Sequence, residues 1–129
     1  MNRPVHFEII SSAPERLVKF YSEVFGWKLE KWGEMPYWLT NAGAEEGPTA
    51  PGIGGAIAAN TDGLKQAVVN TIGVEDIDIA IANVLSAGGK VVTPKAMIPT
   101  IGWFSYCADP EGILFGVIQM VEHSEGSPA

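Results

Sequence analysis

The order strand, helix, then three strands is readable twice in this chain, and that internal repeat narrows the available folds more than any other feature. Val5 to Ile10 (Val-His-Phe-Glu-Ile-Ile) is rich in strand formers and alternates as a strand does. Helix signals follow at once. Ser12 reads as the N-cap, Glu15 completes a capping box, and Pro14 falls in the first turn, where its missing N–H costs little. Leu17, Phe20, Tyr21, Val24 and Phe25 then recur on one apolar stripe, and Gly26 ends the helix. Extended segments are expected at Trp27 to Trp32, Tyr37 to Asn41 and Ile53 to Ala59. A loop with Gly43, Gly47, Pro48, Pro51 and Gly52 joins the last two.

The second half repeats this order. Val68 to Val74 reads as a strand, and Asp76 caps a helix with Ile77, Ala80, Ile81, Val84 and Leu85 on one face. Gly88 and Gly89 stop it. Lys90 to Thr93, Trp103 to Ala108 and Ile113 to Val121 are the next strands, and Asp109-Pro110-Glu111-Gly112 has the residues of a type I turn. Pro14 to Gly26 and Ile77 to Gly89 each span 12 positions, so the halves are offset by 63 (77 less 14). The expectation is an α+β fold of two βαβββ modules whose sheets curl around a shared cleft. One domain is assigned to 1–122, with module one about 1–62 and module two about 63–122. The Ser/Gly/Pro-containing tail, 123–129, is expected to fray.

Composition removes several classes of function. The chain has 129 residues, enough for a core that folds without staples. It carries a net charge of −7, and its 8 basic residues are scattered, so no concentrated cationic surface exists for nucleic acid. No apolar run reaches the roughly 18 residues of a membrane span. The N-terminus lacks the apolar stretch of a signal peptide, so a cytoplasmic location is expected. The single cysteine, Cys107, excludes an internal disulfide and fits a reducing compartment.

Six short blocks carry a family resemblance. Val-His-Phe-Glu-Ile at 5–9 precedes Pro-Glu-Arg-Leu at 14–17 and Phe-Tyr-Ser-Glu-Val-Phe-Gly-Trp at 20–27. Val-Glu-Asp-Ile-Asp at 74–78 precedes Ala-Gly-Gly-Lys-Val-Val at 87–92. Asp-Pro-Glu-Gly-Ile-Leu-Phe-Gly-Val-Ile-Gln occupies 109–119. In order and spacing these resemble the vicinal-oxygen-chelate superfamily of glyoxalases, bleomycin-resistance proteins and extradiol dioxygenases. The resemblance implies a glyoxalase-like fold: a U-shaped, partly open β-barrel around a small-molecule cleft, in a homodimer. It also implies, for metal-dependent members, a divalent metal held by His or Glu from the first and fourth strands of each module.

Only the first of those strands has the residue types to act as ligands. His6 sits at the ligand position, and Glu8, two residues on, shares its face. The matching strand of the second module offers Val69 or Thr71. The fourth strand of the first module, 52–59, has no ionisable side chain, and Gly116 stands where metal-binding relatives carry a glutamate. No metal site and no cofactor are therefore assigned. His6 and Glu8 remain candidates for acid–base work, against a bland role as hydrogen-bonded or solvated strand residues.

Aromatic residues recur along the strands: Trp27, Trp32, Tyr37 and Trp38, then Trp103, Phe104 and Tyr106. Trp38, Trp103 and Tyr106 are the candidate ligand-binding residues, with module packing or a dimer contact as the competing role. Cys107, in an apolar strand without a neighbouring cation, is expected to be inert. Gly52, Gly54 and Gly55 lack the context of a phosphate loop and suit close backbone approach. The function expected is binding of a small organic molecule, without the family metal. The alternative is a lyase- or isomerase-like enzyme using His6 and Glu8 as acid and base, or as part of a divalent-metal site.

Overall fold

In the computed structural model, β1 (Arg3–Ser11) runs parallel to β4 (Gly54–Ala59), with His6 opposite Gly54, Phe7 opposite Gly55 and Glu8 opposite Ala56. The structure describes residues 1–41, 52–61 and 63–121. They divide into two compact units, Pro4–Asn70 and Met1–Arg3 with the chain from Thr71 onward.

The first unit has the order β1, α1 (Pro14–Phe25), β2 (Glu30–Lys31), β3 (Tyr37–Thr40), β4, and its strands lie side by side as β2-β3-β4-β1. One face of this sheet belongs to α1. Phe7 packs on Trp27, which stacks at 5.0 Å on Tyr21 of the helix. Because residues paired across a ladder share a face, Ile57 and Trp38 lie on that side, and both are buried. Gly55 is a requirement of the close approach. A β-carbon built there would stand 2.5 Å from the Phe7 ring.

The second unit follows the same order with one strand more. It comprises the end of β5 (Val68–Gly73), α2 (Ile77–Ser86), β6 (Lys90–Val91), β7 (Ala96–Ile98), β8 (Gly102–Ala108) and β9 (Leu114–Met120). β9 lies between β5 and β8, and β8 pairs with β6 and β7 on its other side. Val74, Ile77, Cys107 and Val117 form a buried core under α2. That helix begins where expected. Asp76 accepts from the N–H groups of Asp78 and Ile79, and the Gln119 side chain accepts from that of Ile77. Three otherwise orphan donors are thereby satisfied, and the Asp76 cap alone contributes about 1 kcal/mol. The Asp109–Gly112 turn also forms, with Gly112 N–H donating to the Asp109 carbonyl.

Two expectations are corrected. Ser12 is not the N-cap of α1 and forms no capping box with Glu15. Pro14 opens the helix, which puts Ala13 at the cap, and that end has no side-chain cap. Ser11 instead accepts from the Ala13 N–H, an ST-type turn that serves the backbone one residue early. The strand β7, unforeseen in the sequence, is only three residues long, and Pro94 and Pro99 close around it. Of the glycine- and proline-containing loop, all but Gly52 lies outside the described residues, as does the tail. No helix among the described residues is long and apolar enough to cross a membrane.

Two outcomes follow from this packing. Gly55→Ala should destabilise the protein by about 1–3 kcal/mol, the usual cost of overpacking, measured by urea unfolding. Cys107 is fully buried, and burial pushes its thiol above the ordinary pKa, only partly offset by a hydrogen bond with Ser105. Its labelling by iodoacetamide in native buffer should proceed only at the rate of unfolding, and fast labelling at neutral pH would contradict that burial.

Candidate functional site

The register that turns Phe7 toward α1 turns His6 and Glu8 to the opposite face of the same sheet. There Tyr37 of β3 meets them. It pairs with Ala58, which lies on the face of Ala56 and Glu8. The Tyr37 hydroxyl donates to Glu8 Oε2 at 2.7 Å and lies 3.0 Å from His6 Nε2. Glu8 is buried, so its carboxylate requires partners, and the phenol is one of them. Burial lowers the His6 pKa from its ordinary 6.5, and the nearby Glu8 charge raises it by less. The imidazole is therefore neutral at pH 7.

Beside this chain of three polar groups, the first unit has an open cavity of about 370 Å³, lined in part by His6, Lys28, Glu30, Leu39, Asn41 and Gly54. Leu39 and Glu30 are paired across β2 and β3 on the His6 side. Close backbone approach requires Gly54, since a β-carbon there would stand 2.8 Å from the Thr40 carbonyl oxygen. The ion pairs among the described residues, Lys19 with Glu23 and Lys95 with Asp78, leave Lys28 and Glu30 unpaired.

Of the residues singled out in the sequence, His6 and Glu8 come together on one face of the first unit's sheet, and Trp38 of the same unit lies on the opposite face. Trp38 lies on the α1 face, with the Lys31 ammonium 5.6 Å from its ring centre. Trp103 packs against the core under α2, with Lys95 at 4.8 Å. Tyr106, three residues on, lies on the other face of β8 and meets the Phe104 ring edge to face at 4.7 Å. Tyr37, Lys28 and Glu30 were missed as site residues. Tyr37 stood only among the aromatic residues, and its strand parity relative to Trp38 was the signal that separates the two.

The described side chains do not fit a chelated divalent metal. His6 Nε2 and Glu8 Oε2 already share the Tyr37 hydroxyl. The β4 residues on their face, Gly54, Ala56 and Ala58, have no donor atoms in their side chains. In the second unit a β-carbon at Gly116 would stand 2.7 Å from the Phe104 ring, so no carboxylate fits there with Phe104 in place. Among the described residues, no group of three or more His, Cys, Asp or Glu side chains gathers around a common point.

The site makes the pH dependence of stability specific. The unfolded chain protonates His6 near 6.5 while the folded chain resists until lower pH, so folding loses stability as pH falls through that interval. His6→Gln, which can still hydrogen-bond with Tyr37, removes this loss. Between pH 7.5 and 5.5 the melting temperature of the wild type should fall further than that of the variant. Parallel decreases would mean that His6 is not held neutral.

Comparison with known proteins agrees with this architecture. The family model described as Glyoxalase/Bleomycin resistance protein/Dioxygenase superfamily matches residues 3–117. A protein carried under the provisional name glyoxylase CFP32, in Mycobacterium tuberculosis and in Mycobacterium bovis, is 28% identical over 115 residues, 87% of this chain. The chain spans only 42% of the length of those relatives. Among solved structures, the methylmalonyl-CoA epimerase of Mycobacterium tuberculosis superposes with a TM-score of 0.65 at 12% identity, covering 97% of this chain and 92% of that one. A superfamily member from Vibrio splendidus gives 0.64 at 15% identity, covering 92% and 98%. At such identities the structures establish the fold, and the family match over nearly the whole chain establishes the rest: this chain belongs to the glyoxalase/bleomycin resistance protein/dioxygenase superfamily.

Proposed function

We propose that the chain binds a small organic molecule in the cavity of its first unit, holding it with side chains and without a chelated divalent metal. The supporting observation is that Lys28 and Glu30, which form no ion pair among the described residues, line the same cavity of about 370 Å³ as His6. That volume lies within the range of small-molecule sites. An ammonium and a carboxylate left unpaired at a cavity wall favour a ligand with an anionic group for Lys28 and a hydrogen-bond donor or cation for Glu30. Leu39 supplies apolar contact. Both side chains are exposed, so a ligand gains from each charge-assisted contact only as far as it covers the pair from water.

Thermal-shift screening tests this reading, with small carboxylic acids, amines and amino acids in one arm and Zn, Ni, Mn and Fe(II) salts in the other. Some organic compounds should raise the melting temperature, and Lys28→Ala or Glu30→Ala should reduce their affinity about tenfold, roughly 1.4 kcal/mol. Metals alone should leave it unchanged. Stabilisation by metals and by no organic compound would overturn the proposal, as would stoichiometric metal retained through chelator-free purification.

A further inference from the structure

We propose that Tyr37 is a positioning residue: anchored by Glu8, its hydroxyl holds His6 in the Nε2–H tautomer and leaves Nδ1 as the proton acceptor that the cavity offers to its ligand. This deepens, and rests on, the reading that the cavity holds a small molecule. The inference comes from counting hydrogens. A phenol has one proton to give, and a carboxylate can only accept. The 2.7 Å bond from Tyr37 to Glu8 Oε2 uses that proton. The 3.0 Å contact with His6 Nε2 then requires a hydrogen on the imidazole side. Nε2 carries it, and the lone pair of the neutral ring is on Nδ1.

This arrangement suits reversible proton transfer. When Nδ1 takes a proton from the ligand, the electrons of the broken bond stay on the ligand as negative charge, and Lys28 lines the same cavity. The imidazolium formed keeps its Nε2–H on the phenol oxygen, with the Glu8 carboxylate beyond. Returning the proton restores the neutral ring, and no redox partner or co-reactant is consumed. The ligand class is therefore a small molecule with an acidic hydrogen next to an anionic or charge-accepting group. Desolvation of His6, which disfavours its protonated form before the ligand arrives, is consistent with this geometry.

The test is a two-bond proton–nitrogen correlation spectrum of the ¹⁵N-labelled full chain at pH 7.5, without ligand. The chain has 2 histidines, and the signals lost in His6→Gln are those of His6. The expected wild-type pattern is that of a neutral ring protonated on Nε2. An Nδ1–H ring, an even mixture of tautomers or a protonated ring would overturn the proposal, whether or not any variant folds. Tyr37→Phe should shift the pattern to a mixture. Glu8→Gln, whose amide can also donate, should shift it toward Nδ1–H by letting the phenol turn. Unchanged spectra in both folded variants would remove Tyr37 as the cause.

A second readout is modification by diethyl pyrocarbonate, mapped by mass spectrometry on the native protein. His6 should be acylated through its free lone pair, and complete protection would also overturn the inference. Both experiments use the protein without ligand. A failed ligand screen and a failed tautomer assignment are therefore separate results.

Discussion

The parallel register between β1 and β4 is the constraint from which the candidate site follows. With Phe7 beside Gly55 and Ile9 beside Ile57, the apolar set of β1 faces α1, and His6 and Glu8 face away. A slip of one residue would send both polar side chains into the aromatic packing under the helix and expose Phe7. The absence of a side chain at Gly55 sets that register sterically, because the Phe7 ring occupies the space a β-carbon would need. The same alternation leaves Gly54, Ala56 and Ala58 as the floor beside His6 and Glu8, so the polar face is bounded by small residues.

On that face the electrostatics depend on one hydroxyl. A buried carboxylate and a half-buried imidazole are each costly, and bringing the two into direct contact would favour a charged pair. Tyr37 lies between them, giving its hydrogen to Glu8 and its lone pair to His6. Removing it would leave polar atoms on both neighbours short of a partner, at a cost of about 1–3 kcal/mol. The His6 ring is therefore kept neutral mainly by desolvation while its orientation is fixed by hydrogen bonding. A proton acceptor and a metal ligand make different demands here. A metal would have to displace the phenol and would still find too few donors among the described residues.

Much of the fold was legible because its signals are local. Asp76 caps its helix, and Asp109 to Gly112 turns, because short polar side chains bond to backbone within a few residues. The Ser12 reading failed on a similarly local competition, since a hydroxyl one residue earlier, on Ser11, took the nearby N–H. The site was legible only in part. His6 and Glu8 are two apart on one strand, and period-2 alternation suffices to place them together. Tyr37 is separated from them by 31 and 29 residues, and its approach depends on how β3 registers on β4. Strand parity also divides the aromatic candidates. Trp38 neighbours Tyr37 in sequence and takes the opposite face, and Trp103 and Tyr106, three apart on β8, also divide between faces.

The two units share an element order and differ in what the corresponding face contains, and the difference rests on a coupled pair of positions. In the second unit the Phe104 ring covers Gly116, with Thr71 Oγ1 3.1 Å from where a β-carbon would be. Thr71 is buried, and its hydroxyl has no hydrogen-bond partner among the described residues, a local cost accepted where an aromatic ring closes the space. A carboxylate at position 116 and a phenyl ring at 104 exclude one another sterically. Replacing Gly116 alone would drive a side chain into the ring, and replacing Phe104 alone would open a void without supplying a donor. An acidic side chain at position 116 therefore needs both changes at once, which makes the closed, carboxylate-free state of this face self-consistent.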